Sequence, residues 1–309
     1  MSLVEKAAEK LKERQPDAAP REVRHDERVE ALPVATTLER AQERMQARAP
    51  DTAEDSAASL PWHVDLERLK RAGLIPVEAD AQRRLSDELR RVKRPLLNNT
   101  GGKGAKALAH GERIVVTSAV PGEGKSFTTL NLALSLAREP DFEVLLVDGD
   151  VPKSDITRSL GLEGKPGLMD VLIHTERQPS DVIVRTDVPN LLVVPAGERH
   201  PLSAELLGGK RMQQVLKAWS GQKRQRLLVF DSPPLLATSE AQVLLSHMGQ
   251  VVMLVAAGRT RRQDLNAAMQ AVEPSQYVGL VLNMSRLPSG ESHYYDGYYS
   301  NYYGQGMEG

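Results

Sequence analysis

The sequence predicts an α/β fold, a doubly wound and mostly parallel sheet with helices on both faces. Three observations predict it. From Arg113 onward, short apolar runs alternate with helical stretches of crossover length, the order that builds right-handed βαβ units. Several of the runs are continuously apolar rather than alternating, as expected of strands buried on both faces. The glycine-rich and acidic motifs fall at the carboxyl ends of those runs, where such sheets bind ligands.

The predicted strands are Ile114–Thr117, Val144–Val147, Leu191–Val194, Leu227–Phe230, Val251–Val255 and Val278–Leu282. Ahead of them, a helix is expected over Asp80–Lys93 (80–94 at its widest), stopped by Pro95, because the residue before a proline avoids the α region. Asn98–Lys106 then reads as a loop. Residues 1–14 hold a short amphipathic helix with Ser2 and Glu5 at capping-box spacing and Val4, Ala8 and Leu11 on one face. It is either a frayed surface helix or a docking helix. Residues 15–60, rich in Ala, Pro, Glu and Arg, bury too little apolar surface to offset ordering entropy and are expected to form a flexible linker. The globular domain spans 61–287. The segment 288–309 is low-complexity and expected to be disordered.

Composition narrows the function. A net charge of -1 and a pI of about 6.7 give no electrostatic case for nucleic-acid binding. The stretch containing Lys210, Arg211, Lys217, Lys223, Arg224 and Arg226 reads as a solvated face before it reads as a DNA-binding one. There is no cysteine, hence no disulfide or thiolate site. The amino terminus lacks an apolar core of signal-peptide type, and runs such as Val251–Ala257 fall far short of the about 20 residues a membrane helix needs. A cytoplasmic protein is expected, with membrane association only through a partner. No metal-ligand histidine spacing or G-x-S-x-G elbow occurs.

The chemistry begins at Ile114–Ser126, IVVTSAVPGEGKS, a strand and loop followed by a helical stretch. Pro121, Gly122, Glu123, Gly124, Lys125, Ser126 and Phe127 are the candidate nucleotide-binding residues. The glycines let backbone N–H groups approach phosphate oxygens, and the helix N-terminus adds favourable partial charge. At this spacing Lys125 reaches the β- and γ-phosphates of ATP and the Ser126 hydroxyl can ligate Mg²⁺. Ala119 stands where the general pattern has its first glycine. Two further strands end in carboxylates, VLLVDGD at Val144–Asp150 and LLVFDSPP at Leu227–Pro234. Carboxylates there are placed to hold Mg²⁺, its waters or an attacking hydroxyl.

The trio VTSAVPGEGKS, VLLVDGD and VFDSPP resembles the Walker A, A′ and B motifs of bacterial tyrosine kinases, P-loop proteins of the MinD/ParA kind. The likeness covers about residues 80–303. Within that family it is similar to the soluble autokinases of exosortase-A and exopolysaccharide loci, through VDGDV, GLMDVL and DELRRVKRPLL. The resemblance implies that Lys125 contacts the phosphates, that Ser126, Asp150 and Asp231 hold the metal, and that Asp148 accepts the tyrosine proton. Asn283 would contact the base. The family's A′ motif has an arginine where this chain has Pro152; Lys153 follows and offers a charge.

Tyr294, Tyr295, Tyr298, Tyr299, Tyr302 and Tyr303, six of the seven tyrosines, crowd the last segment. Composition alone allows a sticky low-complexity tail. The resemblance implies an autophosphorylation cluster used in trans. Glu88, Arg91 and Arg94, at i, i+3 and i+6, share a stripe of about 120° on a helix. Such a stripe is ordinarily solvated; the resemblance implies a ring-forming subunit contact. It also implies a membrane polysaccharide co-polymerase whose cytoplasmic tail activates the kinase at the inner membrane, a cognate tyrosine phosphatase, and control of exopolysaccharide export. Two alternatives stay open. A MinD/ParA-type positioning ATPase would carry a second P-loop lysine where Val120 stands, and an ATP-binding switch without kinase activity would fit the loss of arginine at Pro152.

Overall fold

The computed structural model describes residues 60–100, 108–220 and 225–285. The expected amino-terminal helix, the linker up to residue 59 and the tyrosine segment lie outside the described residues. Seven strands form one sheet: β1 (Arg113–Ser118), β2 (Phe142–Asp148), β3 (Val184–Arg185), β4 (Leu191–Val194), β5 (Gln225–Asp231), β6 (Gln250–Ala256) and β7 (Tyr277–Asn283), in the spatial order β3-β4-β2-β5-β1-β6-β7. All pairings are parallel except β3 with β4. The six predicted strands are each present, extended by a residue or two at most ends. The added strand, β3, is too short to leave a period in the sequence.

The continuous apolar runs have a direct cause. Alternate residues of each central strand enter opposite cores. Val115, Leu145, Val147, Leu228, Phe230, Val251 and Met253 belong to one core. Ile114, Val116, Val144, Leu146, Leu227, Val229, Val252 and Leu254 belong to the other. Each fully buried side chain of this size contributes about 1.5–3 kcal/mol relative to exposure. The first core is closed by α5 (Leu168–Ile173), α6 (Ser203–Gly208), α7 (Lys210–Ser220), α8 (Ser239–Leu245) and α9 (Arg262–Met269). The second is closed by α1 (Leu66–Arg71), α2 (Ala79–Asn98), α3 (Lys125–Leu136) and α4 (Asp155–Ser159).

Pro95 does not end its helix, contrary to the sequence expectation: α2 runs through it to Asn98. The proline forgoes one bond, to the carbonyl of Arg91, an exposed residue whose carbonyl water can satisfy. The last turn is held by tertiary contacts instead. Leu96 is buried in the second core, and its carbonyl accepts from Gln250 Nε2 at 3.0 Å. Asn99 Nδ2 donates back to Gln250 Oε1 at 2.9 Å. Arg94 therefore lies inside a formed helix, and the expected loop starts after Asn98.

That frame positions the site. β2, β5 and β1 are neighbours, so their carboxyl ends present Asp148, Asp231 and the glycine-rich loop side by side. Asp148 pairs in register with Asp231, and Val116 with Asp231 from the other side.

Candidate active site

The loop Val120–Gly124 joins β1 to α3. Gly122 has φ +81° and Gly124 φ +89°, conformations that favour glycine. At Gly124 an added Cβ would also stand 2.3 Å from Asn283 Nδ2. Ala119 is fully buried and is not among the positive-φ residues, so the first position of the general pattern needs no glycine here. Lys125 is 6% exposed and its Nζ donates to Ser118 Oγ at 3.2 Å. Burial pushes its pKa down, against the attraction of Asp231 and Asp150.

Asp231 is the hub. Ser126 Oγ donates to its Oδ2 at 2.7 Å and Thr129 Oγ1 to its Oδ1 at 2.9 Å. Complete burial, followed by the neighbouring charge of Asp148, raises its pKa to about 8, and the two hydroxyls only partly offset this. Asp148 is also fully buried, with its pKa raised to about 6 by desolvation. Its Oδ2 accepts from Thr157 N at 2.8 Å and Thr157 Oγ1 at 2.6 Å. Its Oδ1 is buried and has no partner among the described residues. Asp150 is raised by burial, with Lys125 and Lys153 opposing the shift. Gly149 allows this close approach: its N–H donates to Asp231 O at 2.9 Å, and a Cβ there would lie 2.6 Å from the same oxygen.

A divalent cation fits these residues. Two buried carboxylates side by side, one with an orphaned oxygen, disfavour their own ionised forms until a positive charge joins them. No cage of three or more His, Cys, Asp or Glu side chains exists among the described residues. Mg²⁺ needs none, because it keeps several waters and shares substrate phosphate oxygens.

The structure thus brings together Pro121–Phe127, Asp148, Asp150, Asp231 and Asn283. Asn283, expected at the base, donates from Nδ2 to Glu123 O at 2.8 Å and so also braces the loop. Sequence reading missed Thr129, Thr157 and Thr260, whose hydroxyls hold Asp231, Asp148 and Glu123. It also missed Arg199, which donates to Pro152 O, at the position where the arginine of the resembled motif is absent. Lys153 lies close enough for its charge to act on both Lys125 and Asp150. Of the basic stretch, Arg226 is buried against Glu143 at 2.6 Å and Arg211 donates to Val171 O and Arg177 O, so both are structural.

Glu88, Arg91 and Arg94 stand apart from the site, on the exposed side of α2. Their neighbours Arg83, Arg90 and Lys93 are paired with Asp80, Asp87 and Glu139. The three side chains themselves have no partner among the described residues.

A glycine-rich loop closing on a helix, flanked by two acidic strand ends of a parallel sheet, defines a P-loop nucleotide-binding domain. The AAA domain family matches residues 111–272. The chain is 30% identical over 191 residues to tyrosine-protein kinase YwqD of Bacillus subtilis, covering 61% of this chain and 79% of that one. It is 30% identical over 172 residues to tyrosine-protein kinase CpsD of Streptococcus agalactiae, covering 55% and 74%. The chain belongs to the family of bacterial tyrosine-protein kinases. In fold it resembles the kinase domain of Escherichia coli tyrosine kinase ETK, with a TM-score of 0.59 and 22% identity over 76% of this chain and 85% of that one. The VpsO kinase domain is also similar, with a TM-score of 0.53 and 25% identity over 68% and 100%. Among the described residues no helix is long and apolar enough to cross a membrane.

Proposed function

We propose that this chain transfers the γ-phosphoryl group of Mg-ATP to tyrosine hydroxyls, chiefly those at 294, 295, 298, 299, 302 and 303 of a neighbouring copy. The observation that carries this is the juxtaposition of the Lys125 loop with the buried Asp148–Asp231 pair at the ends of adjacent strands. Backbone N–H groups of Gly122–Ser126 cradle the phosphates. Lys125 meets the charge that develops on the transferring group. Ser126, Asp231 and Asp150 would hold Mg²⁺, which when bound neutralises phosphate charge and orients the leaving group. Asp148 takes the tyrosine proton on Oδ1, the oxygen that has no partner among the described residues. The phenolic oxygen bonds to the γ-phosphorus as the bond to the β–γ bridging oxygen breaks, and ADP leaves. A carboxylate with a pKa of about 6 is a stronger base than an ordinary aspartate and is still mostly ionised near neutrality. In this reading Asn283 offers its side-chain carbonyl to the adenine.

Incubating the purified chain with Mg-ATP and locating phosphotyrosine by mass spectrometry tests this reading. Changing all six clustered tyrosines to Phe should remove most of the label and leave ATP affinity within about twofold, because those side chains are substrate rather than pocket. Label on Tyr277 instead would overturn the assignment, since that residue begins β7 and is half-buried.

The unpaired Glu88–Arg91–Arg94 stripe supports a subunit contact, and a ring is the assembly proposed. Arg91→Ala with Arg94→Ala should yield monomers by light scattering and lower phosphorylation in trans more than ATP binding. Dephosphorylated wild-type protein that is monomeric would refute it. Each phosphotyrosine adds about -1.5 to -2 charge, so phosphorylation should loosen the assembly, most at low salt. The family likeness further supports a cytoplasmic enzyme held at the inner membrane by the tail of a polysaccharide co-polymerase, reset by a tyrosine phosphatase, and acting on exopolysaccharide export.

A further inference from the structure

Glu123 is an anionic side chain inside a loop built to receive anions. It is 2% exposed, and neither carboxylate oxygen faces solvent freely. Its Oε2 accepts from Val120 N at 3.0 Å, closing the loop on itself. Its Oε1 accepts from Thr260 Oγ1, which comes from the turn between β6 and α9. That hydroxyl in turn accepts from Ala256 N at 2.8 Å, so its proton is committed to Glu123. Asn283 holds the Glu123 carbonyl from the end of β7. The loop is thus tied at one residue to two segments that follow it by more than a hundred positions in sequence.

A carboxylate here would repel bound phosphate if it turned toward it. Its two donors, Val120 N and Thr260 Oγ1, fix where the carboxylate sits. We propose that Thr260 is a positioning residue for nucleotide binding: its hydroxyl anchors the Glu123 carboxylate away from the phosphate-binding face of the loop. This rests on the reading that the loop holds the phosphates of ATP. It adds that the turn Gly258–Arg261 controls that loop through one partly buried hydroxyl.

The hydroxyl and the charge can be separated by a double-mutant cycle. Thr260→Val keeps the shape and removes the donor, and Mg-ADP affinity by titration calorimetry should fall about tenfold or more, the equivalent of one lost charged hydrogen bond. Thr260→Ser should restore it. Glu123→Gln placed on Thr260→Val should also recover most of the loss, because the freed group is then neutral. A simple packing or Ala256 N–H defect would not respond to Glu123→Gln. If Thr260→Val does not fold, as judged by circular dichroism, Thr260→Ala takes its place in the cycle. Unchanged affinity in the Thr260 variant, or a loss that Glu123→Gln leaves in place, overturns the proposal. Lys125→Met, measured alongside, separates the two levels: if it too binds Mg-ADP normally, the phosphate-loop reading fails first.

Discussion

Lys125→Met should abolish autophosphorylation, by at least about 10²–10³-fold, while the domain melts no lower than wild type. Removing a preorganised charge aimed at the transferring group costs on that order. The fold prediction comes from the same side chain. Lys125 is nearly fully buried, and its pKa is lowered because desolvation outweighs the pull of Asp231 and Asp150. The folded protein therefore holds this ammonium at a cost. Methionine has similar length and carries no polar head that must find acceptors, so among the described residues the hydrogen bond forfeited is the 3.2 Å contact to Ser118 Oγ. Phosphotyrosine immunoblotting and thermal circular dichroism check the two halves. A well-folded variant with normal phosphorylation would remove Lys125 from the mechanism.

Much of this site was legible in the sequence because it is built from local signals. The phosphate loop, its lysine and the two acidic strand ends each sit within a few residues of an apolar run, and the parallel sheet then has to bring those ends together. The parts that were not legible depend on residues far apart in the chain. Nothing near Thr260 announces that its hydroxyl will meet Glu123, and nothing near Thr157 announces Asp148. A lone threonine in a polar turn looks like surface. The helix through Pro95 failed for a related reason. Local preference argues for a stop there, but the burial of Leu96 and the carboxamide of Gln250, which lies 154 positions on, override it. Ala119 shows the reverse case. The consensus glycine is absent, yet the backbone does not require it, because the positive-φ positions of the loop fall at Gly122 and Gly124.

Asp231→Asn should stabilise the metal-free protein increasingly as pH rises, and should abolish phosphoryl transfer at every pH. The folded protein raises the pKa of Asp231 from 3.8 to about 8, through burial and the adjacent Asp148. Between those values the native state retains a proton that the unfolded chain has released. Stability contributed at this position is therefore complete below about pH 4 and declines as pH climbs toward about 8. Asparagine carries no ionisation to pay for, and its amide can still engage the Ser126 and Thr129 hydroxyls. The melting temperature of Asp231→Asn relative to wild type should accordingly grow from about zero near pH 4 to on the order of 10 °C near pH 8 in the presence of a chelator. Mg²⁺ should reverse the order. A divalent cation bound at the carboxylate favours the ionised form, so wild type should gain stability from magnesium, more at pH 8 than at pH 6, and the variant should gain little. Scanning calorimetry of both proteins across pH, with chelator and with magnesium, measures all of this. A difference between the two proteins that does not change with pH would show that Asp231 is ionised in the metal-free fold. Equal magnesium stabilisation in both would move the metal away from this carboxylate.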